Sequence, residues 1–503
     1  MTALRAPLLA GAFASLLSSV ALAQPADTLR VGNWDFPPGR GNPFSSVPGQ
    51  PQIYVWSAVF DTMTYVDEKG APSGGLAVGW KNIDKTTWEF KLRPNVKFQN
   101  GEPMNAQAVL DTIAWFKTDA GKASVGGQTF SYVTEAKAVD DQTVVLTTSA
   151  PRPIFPNQIA AMYVVPSKAW VELGVEKFST LPIGTGSFKP TEWTGESIKL
   201  QAFADSWRPP KIAKIEYSRL QEAPARLQAM ISNQIDIMIQ VTPDQVKTIE
   251  GIGASVSNVP SPLLLQLGFV LENVKAGVDN TMLKDKRVRQ ALNHAVNKEA
   301  INRDLMGGLF GINTQFSVPS AFGYNPNIKP YAYDPDKAKK LLAEAGYANG
   351  FSLLAEIRDY PDVWVQVAQD LAKVGVKLEL RPTVQADWVR KFLGVQFEGQ
   401  TFSVTIGAAP EMDTIRMMVF QSCRKNPAYY CNKELMPLIE AIDSEFDVGK
   451  RKAMLFDLMA QMTEEASALF VFEQKDLNGV AKRVRGFKNT NRIFNYHELT
   501  LAN

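Results

Sequence analysis

An α/β fold is predicted, and three observations predict it: an apolar alternation of period two around Trp88, amphipathic helices with capping residues, and a β-α-β-α-β run over residues 352–407. In the first, Trp88, Phe90 and Leu92 alternate with Glu89, Lys91 and Arg93, which marks a strand with one buried face. A turn follows at Asn100-Gly101. Asn105 then stands before a helical pattern through Val109, Ile113 and Phe116, and its side-chain oxygen suits an N-cap. Farther on, Val288, Ala291, Leu292, Ala295 and Val296 recur at three- and four-residue steps, with Arg287, Arg289, Gln290 and Asn293 on the opposite, polar face. A further helix is expected to start at Asp334-Pro335 and to stop at Gly346, with Ala338, Leu341, Leu342 and Ala345 as its apolar stripe.

The run from 352 reads as strand (352–358), helix (about 362–374), strand (376–380), helix (about 386–393) and strand (401–407). Helical crossovers make such strands parallel, and ligands then bind beyond their carboxyl ends. Two loops are expected to meet there, Arg358-Asp359-Tyr360-Pro361 and Ala408-Ala409-Pro410-Glu411-Met412-Asp413.

Residues 1–23 read as a signal peptide: one basic residue, Arg5, then an apolar run over 8–22 closed by Ala21-Leu22-Ala23. A retained anchor is the competing reading, but the run is short for a bilayer and broken by Gly11 and serines. Cleavage would leave Gln24 first, and with no cysteine near the junction no lipid anchor is expected. With 53 basic against 51 acidic residues among 503, the chain lacks the concentrated basic face that nucleic acid requires. Cys423 and Cys431, the two cysteines, are expected to pair in an oxidising compartment; a redox or metal role lacks a CxxC or a neighbouring histidine. His294, placed on the polar side of its helix, has no cluster to make it a metal ligand.

Four spaced blocks carry a family likeness: Leu76-Ala77 through Trp88-Glu89-Phe90-Lys91-Leu92-Arg93 to Asn100-Gly101; Pro182-Ile183-Gly184-Thr185-Gly186-Ser187-Phe188-Lys189; Asp285 through Ala295; and Tyr333-Asp334-Pro335 through Gly346-Tyr347. In them the chain resembles the family 5 extracellular solute-binding proteins, the group with the dipeptide-, oligopeptide- and nickel-binding proteins of bacterial importers. The resemblance implies a two-lobed α/β periplasmic binding protein of the cluster C type, with a subdomain inserted in the first lobe and a hinged cleft between the lobes. It divides the chain into a first lobe (24–60, 180–266 and 476–503), an inserted subdomain (61–179) and a second lobe (267–475). The crossing strands are expected near 264–270 and 470–475, and a pair of helices over 433–466. It also implies a soluble, monomeric periplasmic component of an ABC importer. Its partners would be a small-molecule ligand and the permease subunits, with the membrane met only through the importer and no cofactor or metal. A receptor presenting its ligand to a sensor protein is the alternative. A secreted hydrolase is a weaker one, since no G-x-S-x-G, H-E-x-x-H, P-loop or G-x-G-x-x-G is present.

The dipeptide-binding members hold a peptide amine with an aspartate, and the resemblance sets Ala408 at that position, with Thr405 or Ile406 in place of a tryptophan. Glu411 or Asp413 would have to replace the missing acid, or else form a local ion-pair set with Arg416. Arg358 falls near the family's carboxylate-binding arginine and competes with a plain strand-end arginine. Trp34 and Tyr360 are candidates for ligand stacking or for lobe packing, and Trp388 is expected in the core. The ligand classes left open are peptides or amino-acid conjugates, other carboxylated solutes, and metal chelates or sugars.

Overall fold

The structure, a computed structural model, describes residues 27–46 and 52–502. The expected signal segment, 1–23, lies outside the described residues. A mixed sheet runs through both lobes, and in it Thr28–Asn33 lies between Lys214–Arg219 and Ile237–Ile239, parallel to both. Beyond Lys214–Arg219 come Ser197–Ala202 and Phe188–Trp193 as an antiparallel edge.

Two long antiparallel strands, Ser255–Phe269 and Ala468–Val480, connect this half to the second lobe. Their ladder is regular from Ser255 to Pro260, breaks between Pro260 and Leu264, and shifts register once more between Leu265 and Gln266. The break falls a few residues before the expected crossing at 264–270. That stretch is instead held along Leu263–Phe269 by the neighbouring strand Thr401–Gly407, so it belongs to the second lobe's sheet.

Beyond Thr401–Gly407 come Phe351–Ile357 and Val376–Pro382, both parallel to it, with helices Pro361–Ala372 and Gln385–Gly394 as the crossovers. The expected β-α-β-α-β unit is therefore present. Period-two alternation on the crossing strand divides two apolar layers. Leu265, Leu267 and Phe269 pack with Val288, Leu292, Trp364 and Leu371 on one face, whereas Leu264 packs with Phe402, Trp388, Leu455 and Met459 on the other.

Residues 61–179 carry a separate four-stranded antiparallel sheet built from Ala77–Asn82, Thr87–Leu92, Thr143–Thr148 and Val133–Asp140. Its apolar face merges with the first lobe's core through Phe90, Leu146, Phe155 and Trp56. Local signals placed the caps correctly: Asn105 accepts from Ala108 N at the start of Ala106–Phe116, and Asp334 from Lys337 N at the start of Pro335–Glu344. Gly346 follows with φ +89°, a left-handed conformation that favours glycine after a helix. Helices Met436–Ile442 and Val448–Glu464 form the expected pair, and Cys423 and Cys431 are joined in a disulfide.

One expectation needs correcting. On Lys286–Ala295, the residues read as a polar, outward face are largely buried: Arg289, Asn293 and His294. The strand Ala468–Val480 and the end of Val448–Glu464 cover that face. The Arg289 guanidinium donates to the carbonyls of Leu283, Lys284, Glu465 and Ala466, while Asn293 bonds Ala468 O and Phe470 N. His294 Nδ1 lies 2.8 Å from Ala332 O, and burial lowers its pKa. Polar side chains here close off carbonyls and a strand edge rather than meeting water.

Candidate functional site

Register shows where the carboxyl ends of the parallel strands meet. Thr28–Asn33 and Ile237–Ile239 point their carboxyl ends toward the break in the crossing strands, because Ile239 pairs with Asn478 and Ile237 with Val480. From the other side Thr401–Gly407 ends opposite Leu263, and Phe351–Ile357 runs parallel to it. The carboxyl ends of both lobes' parallel strands therefore converge on Pro260–Leu264, the position at which α/β sheets bind ligands.

On the second lobe this edge presents Arg358, Asp359 and Tyr360. The Arg358 guanidinium lies 4.5 Å over the Trp388 ring and donates through Nε to Asp359 Oδ2 at 2.8 Å. Ser403 Oγ accepts from Arg358 N, and Trp388, buried as expected, donates through Nε1 to Ser403 O. Asp359 is fixed by its carbonyl, which accepts from Trp364 Nε1 at 2.7 Å, and its carboxylate lies 3.4 Å from Thr405 Oγ1. Gln474 Nε2 on the crossing strand continues the chain to Thr405 at 3.4 Å.

From the first lobe, Arg492 reaches the same place with a fork to Asp476 at 2.7–3.1 Å and a further bond to Ser261 Oγ. The Tyr360 ring packs edge to face on Phe310 at 6.2 Å, against the second lobe's apolar layer. Burial raises its hydroxyl's pKa, and the Asp359, Arg492 and Asp476 charges all act on it. Its backbone is left-handed, φ +56°, a conformation that costs energy outside glycine and that collects at ligand-contacting turns.

The other predicted residues are placed differently. Trp34 follows the first strand and packs on the first lobe's core; its Nε1 and both polar atoms of the fully buried Asn33 make no hydrogen bond among the described residues. Ala408 is buried with its backbone engaged, N to Pro262 O and O to Met412 N, so nothing of it remains for a ligand. Asp413 is corrected from cleft residue to core residue: it is 1 % exposed, caps Thr414–Val419, and holds Arg451 with two bonds of 2.6 and 2.9 Å. Glu411 and Arg416 pair with each other at 2.5 Å, and Arg416 also donates to Ala409 O. Burial raises the Glu411 pKa, opposed by Arg416.

The loop 408–413 thus serves as a contact between lobe and insert. Asn157 Nδ2 of the insert donates to Gly70 O and to Glu411 O, both at 2.9 Å. Gly70, at φ +78°, sits so close that an added Cβ would meet Phe322 N at 2.7 Å and Met412 O at 2.8 Å. Trp88 of the insert stacks on Phe446 at 6.3 Å. The lobes are closed on one another.

Sequence reasoning missed Asp476 and Arg492, since no local pattern distinguishes either from a surface charge. Asp359 was missed as well, although it stands beside the strand-end arginine in the loop that the sequence located. Glu473, in the crossing strand, was also missed. Burial raises its pKa from 4.5 to about 7, and Tyr324 donates to it at 3.2 Å. The folded form therefore holds a proton that the unfolded chain loses near pH 4.5. Stability from this group is expected to fall between about pH 4.5 and about pH 7 and to stay level above. Melting temperatures of Glu473→Gln and the parent, compared across that range, check this: the variant should show the smaller decline.

Two lobes closed over a polar seam, joined by paired crossing strands and carrying strand ends from each side, define a solute-binding protein. Residues 71–420 match the model of bacterial extracellular solute-binding proteins, family 5 Middle, and the chain belongs to that family. It is similar to the dipeptide-binding protein of Escherichia coli (strain K12), 27% identical over 464 residues that cover 82% of this chain and 83% of the relative. The glutathione-binding protein GsiB of Pectobacterium atrosepticum is 25% identical over 432 residues, 80% of each chain. Among solved structures, the ABC transporter-associated periplasmic binding protein DppA of Helicobacter pylori, in complex with the peptide STSA, shares the fold with a TM-score of 0.78. Its identity is 20%, over 95% of this chain and 98% of that one. Among the described residues no helix is long and apolar enough to cross a membrane.

Proposed function

We infer that the chain is the periplasmic capture component of an ABC importer and that its cargo is a net-neutral zwitterion, a short peptide or an amino-acid conjugate. Arg358, Asp359, Tyr360 and Trp34 would hold it between the lobes, and closure would present it, chemically unchanged, to the permease. The relatives named for dipeptides and glutathione support this class of cargo.

The observation that carries the reading is the pairing of charge at the strand ends, Arg358 with Asp359 and Arg492 with Asp476. A zwitterion enters such a site by exchanging partners, leaving every charge compensated. A simple monocarboxylate would leave one negative charge in excess between the lobes, which is costly where water is displaced. Asn33 and Trp34 Nε1 add buried polar groups without hydrogen-bond partners among the described residues, which a ligand would satisfy.

A thermal-shift screen of the purified protein, stripped of ligand by unfolding and refolding, tests the class. Peptides of two or three residues or amino-acid conjugates should raise the melting temperature, and monocarboxylic acids and sugars should not. Stabilisation by the acids alone would reject the zwitterion, and turnover of the bound compound would reject pure capture. Permease and ATPase genes beside this one would support import over presentation to a sensor.

A further inference from the structure

We propose that Arg358 and Asp359 together receive an intact α-amino-acid head, so that the cargo is an amino acid conjugated through its side chain rather than a plain α-linked dipeptide. This rests on the zwitterionic cargo inferred above and narrows it.

The first ground is spacing. The two side chains come from consecutive residues and are in direct contact, Arg358 Nε to Asp359 Oδ2 at 2.8 Å, so the site offers one positive and one negative group side by side. In an α-amino acid the ammonium nitrogen and the carboxylate carbon share one Cα and lie roughly 2.5 Å apart. The charged ends of an extended dipeptide are separated by up to roughly 7 Å. An adjacent pair matches the compact head and cannot take both ends of the dipeptide at once.

The second ground is the state of the loop that would supply a distant amine clamp. Ala408 has no carboxylate, Asp413 is committed to Arg451, and Glu411 is committed to Arg416 while its carbonyl binds Asn157 of the insert. Among the described residues, Asp359 is a partly exposed acid at the second lobe's strand ends, at 39%, while Asp35, just past the first lobe's first strand, is paired with Arg219 at 3.1 Å.

The third ground is rigidity. Trp364 fixes the Asp359 carbonyl, Thr405 lies against its carboxylate, and Trp388 supports the Arg358 guanidinium from beneath, so the pair is held rather than left to swing. Held groups lose less freedom on binding. The head's carboxylate would take the guanidinium fork and its ammonium the Asp359 carboxylate, with no net change in charge.

Two isomers with the same formula and the same charges separate the cases. Nε-acetyl-lysine carries both charges on one Cα, whereas leucylglycine carries them at opposite ends. By calorimetry on the ligand-stripped protein, Nε-acetyl-lysine should bind about tenfold tighter or better, the scale of a single well-placed charged contact. Asp359→Asn should erase that preference, and Thr405→Val, which leaves the acid in place, should reduce it. Equal binding, or tighter leucylglycine, overturns the head assignment and leaves the zwitterionic cargo standing. Binding of neither isomer overturns it as well, and if monocarboxylates bind instead the broader reading fails with it.

Discussion

Replacing Arg358 with alanine is expected to abolish the rise in melting temperature that the cargo produces and to weaken binding by about 2 kcal/mol or more. The guanidinium is the positive half of the second lobe's contribution, 17% exposed, seated on Trp388 and already oriented by Asp359. Its loss leaves the Asp359 carboxylate facing the ligand's own, so an attraction becomes a repulsion. Arg358→Lys should recover only part of the affinity, because an ammonium keeps the charge but cannot offer two parallel donors or stack flat on an indole. Titration of the stripped protein with the best ligand of the screen measures this directly. A full thermal shift retained by the alanine variant would remove Arg358 from the site.

Asp413→Ala is expected to cost about 3–5 kcal/mol of folding stability, the range for breaking a buried ion pair from one side. Asp413 and Arg451 are nearly inaccessible, and two bonds join them. Removing the carboxylate strands a guanidinium beside the apolar layer of Met417, Leu455 and Met459, with Ile442 O as its remaining acceptor among the described residues. The double substitution Asp413→Leu with Arg451→Met should restore much of the loss, since neither charge is then buried alone. Urea unfolding of the parent and both variants gives the comparison. A single variant within about 1 kcal/mol of the parent would show that the pair is dispensable, as exposed pairs are.

The two outcomes also separate two kinds of residue that two loops at the same sheet edge were expected to bring together. Arg358 changes affinity and should leave stability near the parent's. Asp413 changes stability, and any effect on affinity would come through the second lobe as a whole. Glu411 and Arg416 belong to neither group, because they sit where the insert meets the second lobe.

What the sequence determined by itself was whatever a few neighbouring residues encode. Alternation at Trp88, Phe90 and Leu92 and the capping oxygens of Asn105 and Asp334 are local, and all were found. The parallel unit over 352–407 was equally legible, because its crossovers are short and right-handedness leaves few arrangements. It also placed the carboxyl ends of those strands at one edge, which follows from strand direction.

Only the tertiary structure decided which polar residues meet the cleft. Asp413 looked like a replacement amine clamp until Arg451, 38 positions away, took both its oxygens. Arg289 and Asn293 looked solvated until a strand from 468 onward covered them. Arg492 reaches Ser261 across 231 positions of chain. The physical reason is the same in each case: hydrophobic periodicity records the face a helix or strand buries first, while the partner of a buried charge is set by chain segments that meet only when the lobes assemble.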